Sequence, residues 1–589
     1  MHSLLLLGLL GLAEALKATP VRRYFTRRQD DQSEEPIIPT YNFSIPVDHF
    51  NKDDSRTYSN RFWMNDTYYE SGGPVFFFDF GEQGVDALDI SAVLAEAYGL
   101  QAIMQLAKTY HGMAIAWEHR YYGLSMPIPF VLENGTTVDP VTCASLPNKC
   151  TNEPLGGADG YKYHTVEQAL EDVVYFAQNV ALPGYSAEEN DLLSARNTPW
   201  IFMGGSYPGC RAAWVRARNP ETFYASWASS GPVEAMYDGS PYTDAIYRAL
   251  SPTCAADVTA VIGYVDEVLD GKHGSDALQH LQELTFVLSA TLSDLQASYN
   301  ISEAIELSPF QVGEVLNQPL VAHFQNKPPK YTTDLFCKYM QSYNPNGKAT
   351  NTTNVAMGVL TRAGNQTLSS QGVVGKYGVL EGLNAYTYAS STYLRKYPEV
   401  GGDNSTLIPN ALADIKSWEW QALNQFGYIQ GSNPDNVTIV SKYYNYTAVY
   451  AEEKTETFTF GPKFLADQPD VGSLNKYGGW NMKVSNVMWT NGQYDPWRQF
   501  GVMSQQVDFG APTRNITQKV PACNKVSDST DVFGLLYPGA VHCPDLNQSP
   551  YYPMNGSAPV QLGLALFEQA LDAWLPCFNS SKQHWRDWQ

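Results

Sequence analysis

Long hydrophobic runs are almost absent from the sequence. After a short apolar stretch at residues 4–12, no segment approaches the roughly 20 apolar residues that a membrane helix needs. Positive charge is also scarce, because 38 Lys and Arg residues stand against 60 Asp and Glu residues and give a net charge of −22. Nucleic acids and anionic membranes both bind basic patches. The composition therefore predicts neither a nucleic acid nor a membrane as a partner.

Metal-binding cysteine motifs are missing as well. The chain has eight cysteines but no Cys-x-x-Cys pair, and no spacing of Cys and His resembles a zinc site. We therefore expect no metal. No organic cofactor is expected either. An even number of scattered cysteines favours disulfides in an oxidising compartment, and Cys143 with Cys150 is the one local pairing that the spacing suggests. The other pairings and the oligomeric state stay open.

The first residues have the features of a secretory signal peptide. The apolar residues 4–12 end in a small-residue pattern, and we place the signal peptide at residues 1–18. Residues 19–38 contain two dibasic pairs, so they are either a cleaved pro-segment or a disordered N-terminus. We expect a secreted, extracellular protein, with a vacuole or lysosome as the alternative destination.

Glycosylation sequons agree with secretion. Twelve asparagines lie in Asn-x-Ser/Thr with no proline inside the motif or directly after it, which is more than a cytosolic protein needs. Each of them is predicted as an acceptor. They are Asn42, Asn65, Asn134, Asn300, Asn351, Asn365, Asn404, Asn436, Asn445, Asn515, Asn555 and Asn579.

Three short apolar segments bounded by turn residues predict buried parallel strands. They are residues 74–80, 113–117 and 200–203. Between the second and the third, apolar residues recur at helical spacing over 166–182. This alternation of strands and helices is typical of a doubly wound, mostly parallel α/β sheet.

The pattern changes from about residue 240 to 470. Helical patterns at 256–269 and 276–288 are followed by long loop-like stretches, and strand patterns return at 486–490 and 532–537. The simplest architecture is an α/β domain interrupted by a large, mainly helical insertion. The predicted bounds are 39–238 for the first part of the α/β domain, 239–474 for the insertion and 475–589 for the second part.

A nucleophile elbow is predicted at residues 203–209. The segment Met-Gly-Gly-Ser-Tyr-Pro-Gly follows a predicted strand and opens a predicted helix, the context in which a catalytic serine occupies a strained turn. Ser206 is therefore the candidate nucleophile, and the N–H of Tyr207 is the expected oxyanion donor. Pro208 is tolerated because it falls in the first helical turn. The alternative is a glycine-rich turn with an incidental serine.

A serine hydroxyl needs a histidine base and an acid that orients the base. Asp495 and His542 follow Ser206 in the chain order of α/β-hydrolases, which is nucleophile, acid, histidine. Each lies in a loop just after a predicted strand, where that fold places these groups. The sequence thus predicts an α/β-hydrolase fold with a Ser206, Asp495 and His542 triad and an insertion between nucleophile and acid.

Several blocks resemble the family of prolyl carboxypeptidase and dipeptidyl-peptidase II, which also contains the fungal acid prolyl endopeptidases. They follow the family's order from about residue 40 to 575. The distinctive blocks are Glu-His-Arg-Tyr-Tyr-Gly at 118–123 and Asn-Gly-Gln-Tyr-Asp-Pro-Trp at 491–497. The others are Gly-Gly-Pro at 72–74, Gly-Gly-Ser-Tyr-Pro-Gly at 204–209, Trp-Glu-Trp-Gln at 418–421 and Gly-Ala-Val-His at 539–542. The resemblance implies a secreted serine peptidase whose insertion is a helical cap over the active site.

The resemblance also implies cleavage after proline, or another small residue, at acidic pH. Trp497 matches a tryptophan that lines the family's proline pocket, and Trp418 and Trp420 match a cap block that borders the cleft. The alternative for each is a core tryptophan. The second oxyanion donor would come from the loop after an early strand, which contains Glu82 and Gln83. That loop departs from the family's usual pattern, and Glu82 could instead hold a substrate amino terminus.

Other functions share some of these features. A triad does not distinguish an ester from an amide, so an esterase or lipase on the same fold is the alternative, and a non-catalytic secreted binding glycoprotein is the remote one. For the peptidase we expect proline-containing peptides or proteins as substrates. Endopeptidase, carboxypeptidase and dipeptidyl-peptidase modes stay open. His119 and Arg120 are predicted as buried structural supports near the sheet.

Overall fold

The computed structural model describes most of the chain after residue 37. The described residues are 38–95, 102–146, 149–292, 307–321, 323–345, 368, 370–396, 411–433, 439–455, 465–526, 530–546 and 558–578. The predicted signal peptide and the predicted pro-segment, except its last residue, lie outside them. So do the sequons at Asn300, Asn351, Asn365, Asn404, Asn436, Asn555 and Asn579.

The described residues form two compact units. The larger one, here the α/β unit, comprises the described residues of Ala18–Ala235, Leu407–Gly427 and Glu456–Gln589. The smaller one, here the helical unit, comprises those of Met236–Thr406 and Tyr428–Thr455. The helical unit therefore interrupts the α/β unit twice along the chain.

The strands of the α/β unit include the three apolar segments at 74–80, 113–117 and 200–203, whose side chains are buried along nearly their whole length. A continuous apolar run is the pattern of a strand covered on both faces. The strands of both units, in chain order, are β1 Tyr41–Pro46, β2 Thr57–Asn65, β3 Val75–Asp79, β4 Met113–Trp117, β5 Phe130–Leu132, β6 Thr137–Val138, β7 Cys150–Pro154, β8 Trp200–Gly205, β9 Phe223–Ser229, β10 Met236–Asp238, β11 Gly427–Ile429, β12 Val487–Gly492, β13 Asn515–Thr517 and β14 Asp531–Tyr537.

One sheet of nine strands has the order β1-β2-β4-β3-β8-β9-β12-β14-β13. The pairs β1–β2 and β2–β4 are antiparallel, and every following pair is parallel. Parallel neighbours need crossover connections, and between β8 and β9 the helix Tyr207–Arg218 supplies one. An antiparallel edge followed by this crossed, parallel order is the α/β-hydrolase arrangement, so the predicted fold class is confirmed.

The helices alternate with the strands in the α/β unit and dominate the helical unit. They are α1 Ala87–Leu94, α2 Ala102–Thr109, α3 Pro140–Ala144, α4 Val166–Asn179, α5 Ala187–Leu193, α6 Tyr207–Arg218, α7 Pro241–Ala249, α8 Pro252–Leu269, α9 Ser275–Leu292, α10 Pro309–Val321, α11 Thr333–Ser342, α12 Val373–Tyr377, α13 Val379–Lys396, α14 Ala411–Gln421, α15 Tyr446–Thr455, α16 Gly472–Asn475 and α17 Pro559–Trp574. None of the helices in the described part of the chain combines the length and hydrophobicity that crossing a membrane requires.

Local sequence explains the bounds of α4, which was predicted over 166–182. The side chain of Thr165 caps its first turn by accepting a hydrogen bond from the N–H of Gln168. The helix ends at Asn179, because Val180 is already extended. Pro183 follows closely, and a proline disfavours helical backbone at the residue before it.

One hydrophobic core of the α/β unit lies on the face of the sheet under α1, α2 and α17. Side chains from the strands, such as Phe76 and Trp227, meet Leu106 of α2 and Phe567 of α17 there, and all four are fully or almost fully buried. This core holds the carboxyl ends of the central strands in place, and the loops that leave those ends carry the predicted site residues.

Two stretches within the predicted insertion, 239–474, lie in the α/β unit. They are Leu407–Gly427, which contains α14, and the described residues 465–474. The ring of Trp418 stacks on Phe426 at 5.5 Å and lies 6.2 Å from the ring of Tyr207, next to Ser206. These aromatic contacts bind α14 to the α/β unit, and no local sequence pattern distinguishes it from a cap helix.

Three disulfides are present among the described residues. They are Cys143–Cys150, Cys254–Cys337 and Cys523–Cys577. The first confirms the predicted local pairing. Cys210 and Cys543 are buried thiols, so the expectation that the cysteines mostly form disulfides holds for six of the eight.

The described sequons lie at or near the surface. Asn42, Asn134 and Asn515 are exposed, whereas Asn65 and Asn445 are half-buried. The side chain of Asn445 accepts a hydrogen bond from the N–H of Ala448 at 2.9 Å at the start of α15. Glycosylation at these positions stays a prediction.

Candidate active site

Ser206 lies in the turn between β8 and α6, with φ +66° and ψ −129°. A residue with a side chain rarely adopts this backbone, so the turn is strained. A Cβ at Gly204 would lie 2.5 Å from the carbonyl oxygen of Pro208, and a Cβ at Gly209 would lie 2.3 Å from that of Ser229. Glycine is therefore required on both sides of the serine, as a nucleophile elbow demands.

Asp495 and His542 leave neighbouring strands and meet. Asp495 follows β12 and His542 follows β14, and these strands pair in parallel. Nδ1 of His542 lies 2.9 Å from Oδ1 of Asp495. The carboxylate of Asp495 also accepts hydrogen bonds from Nδ2 of Asn491 at 2.7 Å and from the N–H of Trp497 at 2.9 Å. The Asp495 carboxylate is fully buried. Two hydrogen bonds, from Asn491 and Trp497, hold it in place against Nδ1 of His542.

The charge of Asp495 dominates the electrostatics of His542. Burial alone would lower the pKa of the imidazole, but the charge and the hydrogen bond of Asp495 outweigh burial, and the pKa lies well above its usual value. The neighbouring thiol of Cys543 acts in the same direction. This arrangement stabilises a positively charged imidazole, which a histidine becomes when it accepts a proton.

The loops of Ser206 and His542 are in contact through their neighbours. A Cβ at Gly205 would lie 2.8 Å from Sγ of Cys543, and the N–H of Cys543 donates to Oγ of Ser230 at 2.9 Å. Asp495 contacts Nδ1 of His542, so the other ring nitrogen, Nε2, is left to exchange a proton. Among the described residues, Nε2 has no hydrogen-bond partner, and no hydrogen bond joins it to Ser206.

The loop after β3 contacts the elbow from the other side. Gly81 has φ +66°, and a Cβ there would lie 2.2 Å from Cγ of Pro208. Glu82 and Gln83 follow, and both are buried. Burial raises the pKa of Glu82 to about 7, although the positive charge of His542 partly opposes the rise. Among the described residues, Oε2 of Glu82 has no hydrogen-bond partner.

The three predicted pocket tryptophans have different surroundings. The ring of Trp497 is buried, lies 6.5 Å from that of His542 and packs on Phe500. Trp418 is buried against Phe426, as described above. Trp420 is only half-buried and stacks on Tyr161 at 5.5 Å. The structure therefore brings Trp497 next to the histidine, and it stacks Trp420 on Tyr161.

Residues of the block at 118–123 are buried and contact the elbow residue Tyr207. Arg120 is fully buried and forms an ion pair with Asp172 at 2.5 Å, and Nε2 of His119 lies 2.9 Å from the hydroxyl of Tyr207. Both residues are the buried supports that the sequence predicts. Sequence reasoning missed Asp414 and Gln421 of α14, which contact the loops around Ser206. The available signal was the block at 418–421, which contains Gln421.

This geometry defines the class. A nucleophile elbow after the central strand β8, with an aspartate after β12 and a histidine after β14 of the same sheet, belongs to the α/β-hydrolases. The family described as serine carboxypeptidase S28 matches residues 45–134 and 152–530, and the chain belongs to this family. It is therefore a serine-type peptidase. The match includes Ser206 and Asp495 and ends before His542.

Several curated proteins are similar along most of the chain. A "Probable extracellular serine carboxypeptidase" of Arthroderma benhamiae is 26% identical over 88% of this chain, which spans 64% of that protein's length. "Serine protease vicPb" of Bipolaris victoriae is 25% identical over 76% of each chain. The "Thymus-specific serine protease" of Mus musculus is 25% identical over 98% of each chain.

Solved structures of other hydrolases give distant likenesses. An acetylester hydrolase from Corynebacterium glutamicum shares 8% identity with a TM-score of 0.30, covering 90% of this chain and 95% of that one. A proline iminopeptidase from Mycobacterium smegmatis shares 12% identity with a TM-score of 0.24, covering 90% and 99%. Likenesses at this level say nothing about the substrate.

Proposed function

We propose that this protein is a secreted peptidase that hydrolyses peptide bonds after proline, or after another small residue, at acidic pH. The observation that carries the proposal is the 2.9 Å contact between His542 and Asp495 beside the strained turn at Ser206. Disulfides in both units and the similarity to a protein named as extracellular support secretion. The family membership supports a peptide rather than an ester as the substrate.

In the proposed mechanism, Oγ of Ser206 attacks the carbonyl carbon before the scissile bond while Nε2 of His542 takes its proton. Asp495 holds the imidazole and stabilises its charged form. His542 then gives the proton to the leaving amine, and an acyl-enzyme forms. Water attacks the acyl-enzyme with His542 again as the base, and release of the acid restores Ser206.

The developing oxyanion needs donors on the side of the elbow away from His542. The N–H of Tyr207 is one candidate, because it follows the nucleophile at the start of α6. The second comes from the loop at 81–84, either from the acid of Glu82 or from Gln83. Each such donor contributes a factor on the order of 10²–10³ to turnover.

Glu82 supports the proposed acidic working range. Burial raises its pKa to about 7, so below that pH the group is mostly a neutral acid that donates a hydrogen bond. Above it, the carboxylate would repel the oxyanion. His542 acts in the opposite direction, because it must be neutral to accept a proton and Asp495 raises its pKa in spite of burial. A bound peptide excludes water and penalises both charges, which favours the neutral pair. We therefore expect a bell-shaped pH profile whose alkaline side is set by Glu82.

Trp497 supports the preference for proline. Its buried ring beside His542 offers a flat aromatic face, and such a face suits the pyrrolidine ring of the residue whose carbonyl is attacked. Trp418 and Trp420 are proposed as further parts of the cleft on the resemblance alone.

The test is digestion of a peptide with an internal X-Pro-Y sequence, blocked at both ends, by the wild type and by Ser206→Ala. Cleavage after proline by the wild type alone supports a post-proline serine endopeptidase. If only a free-ended peptide is cut, the end that must be free identifies a carboxypeptidase or a dipeptidyl-peptidase. If neither peptide is cut by folded protein, the proline proposal is wrong, and ester substrates become the next test.

A further inference from the structure

Helix α14 contacts the loop that is proposed to supply the second oxyanion donor. Oδ2 of Asp414 accepts a hydrogen bond from the N–H of Gly84 at 2.8 Å, and Oδ1 accepts one from the N–H of Gly123 at 2.9 Å. The two glycine backbones touch, because a Cβ at Gly84 would lie 2.7 Å from Cα of Gly123. One carboxylate thus fastens the end of the 81–84 loop to the block at 118–123.

The last residue of the same helix contacts the elbow. Nε2 of Gln421 donates to the hydroxyl oxygen of Tyr207 at 3.2 Å, and Oε1 of Gln421 accepts from the hydroxyl of Tyr122 at 2.9 Å. All three side chains are fully or almost fully buried. Tyr207 is the residue whose backbone N–H is the first proposed oxyanion donor.

The direction of these hydrogen bonds is determined by His119. Its Nδ1 lies 2.7 Å from the carbonyl oxygen of Arg120, and a carbonyl can only accept, so Nδ1 carries the hydrogen. Burial holds the pKa of His119 well below its usual value, so the ring is neutral and its Nε2 accepts from the hydroxyl of Tyr207 at 2.9 Å. The oxygen of Tyr207 is then left to accept from Gln421. The whole chain runs in one direction, from Tyr122 through Gln421 and Tyr207 to His119.

Ser417 makes a third contact of α14, between those of Asp414 and Gln421. Oγ of Ser417 donates to the carbonyl oxygen of Tyr121 at 2.7 Å, and the carbonyl oxygen of Ser417 lies 3.0 Å from Nε2 of His164. Asp414, Ser417 and Gln421 are spaced i, i+3 and i+7, which puts them on one face of the helix. The helix is therefore attached to the site along two turns, about 10 Å.

We infer that α14 sets the relative position of the two oxyanion donors, with Asp414 and Gln421 as positioning residues. The inference rests on the proposed function, because it concerns how that reaction's oxyanion is held. A rigid helix attached to both loops fixes the distance between the N–H of Tyr207 and the loop at 81–84. A misplacement of about 1 Å in such a site costs a factor of up to about 10². Neither residue touches the substrate in this account.

The test compares Gln421→Leu and Asp414→Asn with a matched control, Gln178→Leu. Gln178 lies on α4 and donates to Oγ1 of Thr222 at 2.9 Å, away from the elbow. The measurements are kcat and KM on whichever proline peptide the wild type cuts, blocked or free-ended, the inhibition constant of a peptide aldehyde ending in prolinal, and thermal unfolding of each variant. The aldehyde forms a hemiacetal with Ser206 and reports how well an oxyanion is held.

We expect Gln421→Leu to lower kcat by about tenfold to a hundredfold with KM changed less than about threefold. The aldehyde should lose affinity in the same ratio as kcat/KM. Asp414→Asn keeps one acceptor oxygen and should show a smaller loss of kcat and of aldehyde affinity. If Gln421→Leu does not fold, Asp414→Asn alone tests the inference. The control should unfold at a similar or lower temperature than wild type and keep kcat and aldehyde affinity.

The inference is overturned if both variants unfold more easily but keep kcat and aldehyde affinity, because α14 would then only stabilise the fold. It is also overturned if KM alone changes. Failure of the proposed function looks different: the wild type would cut neither the blocked nor a free-ended proline peptide, or Ser206→Ala would cut equally well, before any variant of α14 is compared.

Discussion

Replacing Glu82 by glutamine tests the proposed role of a protonated carboxylic acid in the active site. The amide has nearly the same size, and its NH₂ group donates hydrogen bonds at every pH. In the wild type the donor exists only while the carboxyl group is protonated. Burial raises its pKa to about 7, and each pH unit above the pKa lowers the protonated fraction about tenfold.

The expected size of the effect follows directly. At pH 8 the wild type retains about a tenth of its active form, and at pH 9 about a hundredth, if Glu82 sets the alkaline side. Glu82→Gln should lose this alkaline fall in kcat/KM and exceed the wild type at pH 9. Below pH 6 it should stay within about tenfold of the wild type, because an oxyanion donor is still present at that position.

The assay is kcat/KM from pH 4 to 9 on the blocked proline peptide and on the same peptide with a free amino terminus. Glu568→Gln serves as the control, since Glu568 lies on α17 and contacts Thr109 rather than the elbow. An alkaline fall that is unchanged in Glu82→Gln would refute the reasoning. A rise in KM confined to the free-amine peptide would instead identify Glu82 as the residue that holds a substrate amino terminus.

Three further predictions concern the catalytic aspartate, the proposed proline pocket and the contribution of one disulfide to stability. Asp495→Asn should lower kcat on the order of 10⁴-fold while the protein stays folded, because an amide cannot accept all the hydrogen bonds that reach this carboxylate. Single-turnover kinetics measure this loss of rate. Trp497→Ala should lower kcat/KM between about two- and tenfold more for a proline peptide than for an alanine peptide, and equal losses would exclude a proline-stacking role. Removing the disulfide with Cys523→Ala and Cys577→Ala should lower the free energy of unfolding by about 2–4 kcal/mol, as urea denaturation reports, and an unchanged midpoint would contradict this.

The features that depend on a few adjacent residues could be predicted from the sequence. The turn at Ser206 follows from the glycines around it, whose lack of side chains the close backbone contacts require. The parallel strands follow from continuous apolar runs, because strands buried on both faces need them. The pairing of Asp495 with His542 follows from their places after parallel strands, once the α/β-hydrolase order is assumed.

What could not be predicted depends on partners far apart in the chain. Asp414 and Gly84 are 330 residues apart, and Gln421 and Tyr207 are 214 apart. A polar residue on a helix gives no local sign that its partner is a backbone N–H or a buried hydroxyl elsewhere. These partners of α14 are far away in the chain, so no local pattern indicated that α14 lies in the α/β unit, and the predicted insertion included it.

The most direct test of the central claim is to label the enzyme with a fluorophosphonate and to locate the label by mass spectrometry of its peptides. A fluorophosphonate reacts with an activated serine and loses fluoride, so it marks the nucleophile itself. The account predicts a single modified residue, Ser206, together with loss of peptidase activity in proportion to labelling. His542→Ala should label far more slowly. A label on another residue, or full activity after Ser206 is labelled, would contradict the account.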